Sequence, residues 1–450
     1  MLSIPILVVS GKGEDAVLLN HPKAPAEFKP SKPLSGGGLE ARYGKFPDAA
    51  GAANTCIPFQ GVPTLEVLAD SLDSADVPAE SAVELLFHES FHVLQARLGL
   101  KGANEALSNR YPSGDAAVSA LRVFEARLLF EALNDREPRK ETLLAALGAR
   151  GERAGLLKPE LAEYEWQMEE NEGLADYTGW SAVLAAGASR EYKPALEETQ
   201  GFARYRNIED DFKKYLNALK FIGGKNRIPV RSSFYHTGCA YAILLDKAAP
   251  AWKVAFLADK KPLHRILAEA LGVDEKAQIK ALVKAKEKYD FRALAKEEQG
   301  FAGDREKELE KLRDSVESNP SGLIIVDVSS LKDLDFQKTW DPSNDVYLAE
   351  NEVYQGRHLN LSYPSFLELD FSQPVIWKTE DMIFFTAMQD KPTITAEGMN
   401  IEPSVDSLLL IGKRVKIAAG AVKLSFEPEA AIELHNKDKV LQIRVWKAKK

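Results

Sequence analysis

At 450 residues, with 45% hydrophobic and 28% charged side chains, the chain has material for two or three domains with buried cores, which excludes a wholly disordered protein. The formal net charge of −9 argues against nucleic-acid binding, which draws on basic surface. No apolar run reaches the ~20 residues of a membrane helix, so no transmembrane segment is expected.

In chain order, residues 3–10 and 15–20 are β-rich runs around Gly11-Lys12-Gly13-Glu14, the pattern of a hairpin. The first run is short, without a basic flank or cleavage site, and reads as a strand rather than a signal peptide. A soluble protein is expected, extracytoplasmic if an export signal was removed and otherwise cytoplasmic. Prolines and the Gly36-Gly37-Gly38 run make Pro22 to Gly38 a loop. Cys56 to Gln60 and Thr64 to Ala69 are two further strand candidates, which completes a small β-layer over residues 1–75. Cys56 and Cys239 are too few for a disulfide framework and are read as buried free thiols.

From Asp76, a candidate N-cap ahead of Pro78, the pattern turns helical. Over Val83 to Leu98, Phe87, Phe91 and Leu94 share one stripe, and His88, His92 and Gln95 another. Helices are predicted near 114–134, 138–149, 159–186, 209–221, 237–257 and 262–271, then a charged helical stretch over 276–317. Ser315 to Gly322 marks a boundary. Beyond it short β-rich runs recur at Leu323–Val328, Phe366–Phe371, Pro374–Lys378, Ile383–Ala387, Ser407–Ile411, Val422–Phe426 and Val440–Trp446. The expected fold class is α+β: the N-terminal β-layer, a mostly helical domain over 76–318, and a C-terminal β-sandwich over 322–450.

Two motifs carry chemistry. His88-Glu89-Ser90-Phe91-His92 is an HExxH string on a predicted helix. Residues four apart lie on one helix face, so both imidazoles reach one zinc ion, and Glu89 sits where a carboxylate can take a proton from zinc-bound water. A catalytic zinc needs a third protein ligand. Asn171-Glu172-Gly173-Leu174-Ala175-Asp176 supplies one in Glu172, with Asp176 one turn on to accept a hydrogen bond from a zinc histidine. One zinc ion per chain is expected. His21, His264, His358 and His435 lack a partner at ligand spacing and are read as structural or surface residues.

HExxH followed by a helix with ExxxD resembles the gluzincin metallopeptidases, and the resemblance implies a zincin-like catalytic domain. It also implies His88, His92 and Glu172 as zinc ligands, Glu89 as general base and Asp176 behind a ligand histidine. The spacing departs from thermolysin-like and aminopeptidase-like members: 79 residues separate His92 from Glu172 here, against about twenty there. Phe234-Tyr235-His236-Thr237-Gly238 resembles the Tyr-x-x-Gly element of aminopeptidase-like gluzincins. It offers Tyr235, or alternatively His236, as the oxyanion donor. Asn54 and Thr55, in the segment Ala52 to Phe59, are assigned to substrate binding along a sheet edge.

The expected activity is zinc-dependent hydrolysis of peptide or protein substrates. No clear acidic motif for a free α-amino group lies immediately upstream of the zinc helix, which favours endopeptidase over aminopeptidase. The alternatives are a zinc hydrolase of a non-peptide bond, or a binding or scaffold protein with a relic metal site that acts through its C-terminal β-domain.

Overall fold

The computed structural model of the chain describes residues 4–10, 15–32, 40–45, 54–72, 79–100, 102–135, 138–188, 208–223, 228–340, 345–349, 351–363, 366–402 and 407–448. The fold is α+β. Two compact units divide it: Met1–Ser108 with Asp115–Gln299, and Asn109–Gly114 with Gly300–Lys450.

Among the described residues the first unit opens with a six-stranded sheet. Its strands are β1 (Ile6–Val9), β2 (Asp15–Leu19), β3 (Lys29–Pro30), β4 (Ala41–Lys45), β5 (Thr55–Phe59) and β6 (Val62–Leu68), in the order β3-β4-β2-β1-β6-β5. β1 and β2 pair antiparallel, as the hairpin pattern predicts, although Gly11 to Glu14 lie outside the described residues. The expected loop contains β3, and β4 follows it. β4 lacks a β-branched residue, and a Cβ on its Gly44 would stand 2.9 Å from the Phe28 ring, so close packing rather than propensity fixes this strand.

β5 and β6 join through Gln60 and Gly61, both at positive φ (48° and 71°), the conformation of a two-residue hairpin turn. Such a turn makes Phe59 and Val62 a hydrogen-bonded pair, and bonding alternates from there. Pro58 opposite Pro63 thus falls at a non-bonded position, where neither needs an N–H. By the same alternation Cys56 turns its N–H and C=O away from β6, toward the open edge.

The helices of this unit are α1 (Ala69–Leu72), α2 (Ala79–Arg97), α3 (Ala116–Asn134), α4 (Lys140–Leu156), α5 (Pro159–Met168), α6 (Leu174–Ala188), α7 (Ile208–Asn217), α8 (Val230–Ala248), α9 (Trp252–Asp259), α10 (Leu263–Ala270) and α11 (Glu275–Lys288). α12 (Phe291–Glu317) runs from the first unit into the second. Asp76 and Pro78, the expected start signals of α2, lie outside the described residues. α2 presses Leu86 and Val93 against Leu65 and Val67 of β6, while Phe91 packs into the helical core. Leu94, expected beside Phe87 and Phe91 on an apolar stripe, is 42% exposed, because Val93 holds the sheet-facing position.

Three expected helices are broken. The run 159–186 carries a π turn, Glu169–Gly173, in which the Leu174 N–H donates to the Glu169 carbonyl five residues back. The run 237–257 is two helices: α8 starts at Val230 behind Pro229, and Pro250 separates it from α9. Asp290, at φ 48°, separates α11 from α12.

Among the described residues the second unit contains an eight-stranded and a seven-stranded sheet. Their facing sides share one core: Ile324, Val326, Phe384 and Ile432 from one, Leu361, Leu369, Phe371 and Leu424 from the other, with Phe371 stacked on Phe384 at 5.6 Å. The expected β-runs all lie in these sheets, together with strands such as Val415–Ala419 and Ala430–Lys437 that the sequence reading had not separated. Both cysteines are free thiols; Cys239 is buried and Cys56 half-buried. Among the described residues no helix is long and apolar enough to cross a membrane.

Candidate metal centre

A cleft of about 560 Å³ in the first unit is lined by Asn54, Thr55, Glu84, Leu85, His88, Glu89, His92, Glu172, Asp176, Arg231 and Tyr235. α2, the π turn and α6, α8 and the edge strand β5 thus converge on one place.

At its floor three atoms form a triangle. His88 Nε2 and His92 Nε2 are 3.2 Å apart, and each lies 3.5 Å from Glu172 Oε2. A tetrahedral zinc with bonds of about 2.0–2.1 Å has ligand–ligand edges of about 3.3–3.4 Å, so the triangle has the dimensions of one face of such a site. The three residues form a group able to hold a metal ion.

Hydrogen bonds on the far sides of these groups explain why the three atoms point inward. His88 Nδ1 donates to Asp176 Oδ1 at 2.7 Å, and His92 Nδ1 donates to Gln95 Oε1 at 2.7 Å. The Gln95 amide is fixed in turn, its Nε2 donating to the carbonyls of Glu170 and Asn171 at 2.9 and 3.1 Å. With each Nδ1 proton committed to its outer partner, Nε2 is the nitrogen of each ring that faces the triangle. Asp176 is held a second time by the Tyr215 hydroxyl, which donates to Oδ2. Glu172 has Oε1 occupied by Asn171 Nδ2 and Arg231 Nη2, both at 3.2 Å, which leaves Oε2 for the triangle.

The electrostatics agree. Four acids, Glu84, Glu89, Glu172 and Asp176, line the cleft. Burial opposes charge on His88, yet its bonds to Asp176 and Glu172 outweigh that and raise it to about 10, so in the metal-free chain Nε2 also holds a proton, which a bound cation would displace. Burial works against ionised Glu172 too, but the two histidines hold its carboxyl well below the usual range. Burial together with Asp176 lifts Glu84 to about 7. Glu89, 7% exposed, is raised by burial, which suits a carboxylate that must take up a proton. A site this rich in buried negative charge and inward-facing nitrogens is matched by a divalent cation.

Tyr235 faces the cleft, its ring parallel to that of His88 at a centroid distance of 6.2 Å. Burial and the nearby Glu172 raise its phenol far above the usual range, so it stays a hydroxyl donor. His236 is placed elsewhere. It packs against Tyr215 at 4.5 Å, outside the cleft lining, and burial lowers its pKa so that it stays neutral. Tyr235 and His236 thus face different surroundings, as successive residues of α8 point about 100° apart.

What brings Tyr235 this close is a contact between two backbones. A Cβ on Gly173 would lie 2.5 Å from Gly238 Cα, and one on Gly238 would lie 2.6 Å from the Glu169 carbonyl oxygen. Only glycine fits at both positions. The Gly of each sequence motif is therefore what seats the Tyr235 helix on the π turn that carries Glu172.

Asn54 and Thr55 line the cleft from β5. The Asn54 side chain is already engaged, accepting from the Leu68 N–H at 3.0 Å and donating to Ser71 Oγ at 3.3 Å. It fixes the start of the edge strand, and Thr55 is the exposed member of the pair. The remaining histidines stay out of the cleft. His21 bonds the Phe59 carbonyl at 3.1 Å, His264 is half-buried, and His358 and His435 are half-exposed beside Asp370 and Glu433.

Gln95, Tyr215, Glu84 and Arg231 had no assigned role in the sequence reading. Gln95 was legible from its spacing of three from His92, and Arg231 from its spacing of four from Tyr235. Glu84 was legible in the same way from its spacing of four from His88, whereas Tyr215 carried no such signal. The chain matches no protein-family model, no curated protein and no solved structure.

Proposed function

We propose that this protein is a gluzincin-type zinc metallopeptidase that binds one zinc ion per chain and hydrolyses peptide bonds. The observation that carries this reading is the triangle of His88 Nε2, His92 Nε2 and Glu172 Oε2, with edges of 3.2–3.5 Å beside the buried carboxyl of Glu89. The wider architecture fits a zincin-like catalytic unit, with a sheet edge beside the metal helix, and the two C-terminal sheets fit a β-sandwich accessory domain.

Zinc bound to this triangle supplies an activated water and a Lewis acid for the scissile carbonyl. The residues do the rest. Glu89 takes the proton of the attacking water and delivers it to the leaving nitrogen, a transfer for which its raised proton affinity is suited. Tyr235 donates its hydroxyl to the developing oxyanion. Asp176 and Gln95 keep both imidazoles in the tautomer that leaves Nε2 free.

A peptide substrate is favoured over other acyl compounds by β5. Its Cys56 N–H and C=O are turned to the open edge, and Thr55 lines the cleft, so an extended chain pairing there passes the metal triangle.

The test is a digest of a diverse peptide library by the zinc-loaded protein, with cut sites mapped by mass spectrometry. Internal cuts abolished by a chelator and restored by zinc are expected. Cuts confined to the first residue would reassign the enzyme as an aminopeptidase, and no zinc-dependent cleavage would contradict the reading.

A further inference from the structure

Beside Tyr235, one turn earlier on the same face of α8, stands Arg231, with its side chain 41% exposed. Its guanidinium makes a bridge. Nη1 donates to the Tyr235 phenol oxygen at 2.6 Å, and Nη2 donates to Glu172 Oε1 at 3.2 Å. The guanidinium carbon sits 5.4 Å from the Tyr235 ring centroid. One planar group thus holds a candidate metal ligand and the candidate oxyanion donor in a fixed relation.

We propose that Arg231 is a positioning residue: by bridging Glu172 and Tyr235 it aims the phenol hydroxyl at the oxyanion. This rests on the metallopeptidase reading above. A phenol has one proton to give and accepts through its oxygen lone pairs. With the guanidinium N–H on the acceptor side, the Tyr235 proton turns away from Arg231 to the cleft side, where in the metal-free chain the Glu172 carboxylate attracts it. The phenol sits at the end of a side chain with two rotatable bonds, and a donor that reaches an oxyanion only part of the time loses catalytic effect in proportion. Arginine suits this role through its rigid fork. A lysine ammonium is a flexible point charge that does not hold two partners in one plane.

The alternative is an ordinary cation–π contact of Arg and Tyr along a helix, irrelevant to turnover. The two are separated with the full-length, zinc-loaded protein and four variants: Arg231→Met, Arg231→Lys, Tyr235→Phe, and Arg231→Met with Tyr235→Phe. Zinc content is measured for each. Arg231→Met should lower kcat by about 10–100-fold with KM changed by less than about threefold, the signature of an interaction made in the transition state. Arg231→Lys should recover only a small part of that loss. In the Tyr235→Phe background, Arg231→Met should cost less than about threefold more, since the two residues act as a unit. Losses that multiply would show that Arg231 acts independently of Tyr235 and would overturn the proposal.

A second measurement does not depend on turnover. With 3-fluorotyrosine placed at position 235 of the metal-free full chain, ¹⁹F NMR reports the order of the ring. A restrained ring gives resolved or broadened signals in the native sequence, and Arg231→Met should collapse them to one narrow averaged resonance. Identical line shapes in the two would overturn the proposal. If the native chain cleaves no peptide, the metallopeptidase reading fails alone, and the NMR comparison still decides whether Arg231 orders the phenol.

Discussion

Each imidazole at this centre is useful only because of what grips its far nitrogen. Gln95 illustrates the point: its carbonyl takes the His92 Nδ1 proton, and its amino group is tied to the Glu170 and Asn171 carbonyls on the π turn. Gln95→Leu should therefore lower zinc affinity by about 10–100-fold, the usual cost of removing a group that orients a metal histidine. Competition with a chromogenic chelator measures it, and unchanged affinity would show that the His92 tautomer is set by something else. At this scale the sequence was informative wherever partners share a helix. His88 with His92, His92 with Gln95, and Glu172 with Asp176 follow from helical spacing alone. Tyr215 on Asp176 was not legible, because that contact joins α7 to α6 and no local pattern encodes it. The choice between Tyr235 and His236 was equally closed to sequence reading, since it depends on the rotation of α8 about its axis.

Among the elements, the π turn is the part whose construction is most demanding. Glu169 at its start is fully buried, paired with Arg150 and accepting the Thr237 hydroxyl at 2.6 Å. Arg150 also donates to Glu125 of α3 at 2.9 Å, and Arg153 of α4 reaches Glu125 at 2.6 Å and Glu165 of α5 at 2.8 Å. Tyr241 of α8 donates to Glu125 at 2.5 Å. Burying such charges is tolerable only because each is matched, and breaking one buried pair typically costs about 3–5 kcal/mol. The network ties α3, α4, α5 and α8 around the turn that presents Glu172. Acids on a helix usually face solvent, yet Glu165 and Glu169 are core residues, each 1% exposed, because arginines from α4 fold over them. The glycine crossing gives a prediction for the same element. Gly238→Ala should destabilise the protein by about 1–3 kcal/mol through overpacking against the Glu169 carbonyl. Urea denaturation reads the change, and a stability equal to that of the native chain would mean that α8 shifts without penalty.

For the whole molecule, the sequence pattern conveyed the order of a small sheet, a helical stretch and C-terminal strands, because hydrophobic period changes at each transition. It did not convey where helices break or which strands are neighbours, since both depend on contacts distant in the chain. In the second unit the parallel pairing of Val440–Lys447 with Leu323–Asp327 joins the last strand to the first across more than a hundred residues. The buried cluster between the two sheets runs from Ile324 to Val445, and buried Val316 and Tyr111 belong to the same unit. A fragment of residues 300–450, which keeps Val316 and the Arg313–Glu352 pair, should fold alone, with one cooperative thermal transition, and should carry no zinc-dependent hydrolysis. A fragment that melts without cooperativity would show that its core needs the rest of the chain.

The account as a whole stands on Glu89 acting as the base beside the metal triangle, and one paired measurement on Glu89→Gln tests it most directly. Turnover of a peptide cut by the native protein, and zinc content by metal analysis, are measured on the same preparation. Loss of rate by at least about 10²–10⁴-fold, the usual contribution of a general base, with zinc retained at one per chain is the predicted result. Turnover within threefold of the native protein, at the same zinc content, would contradict it.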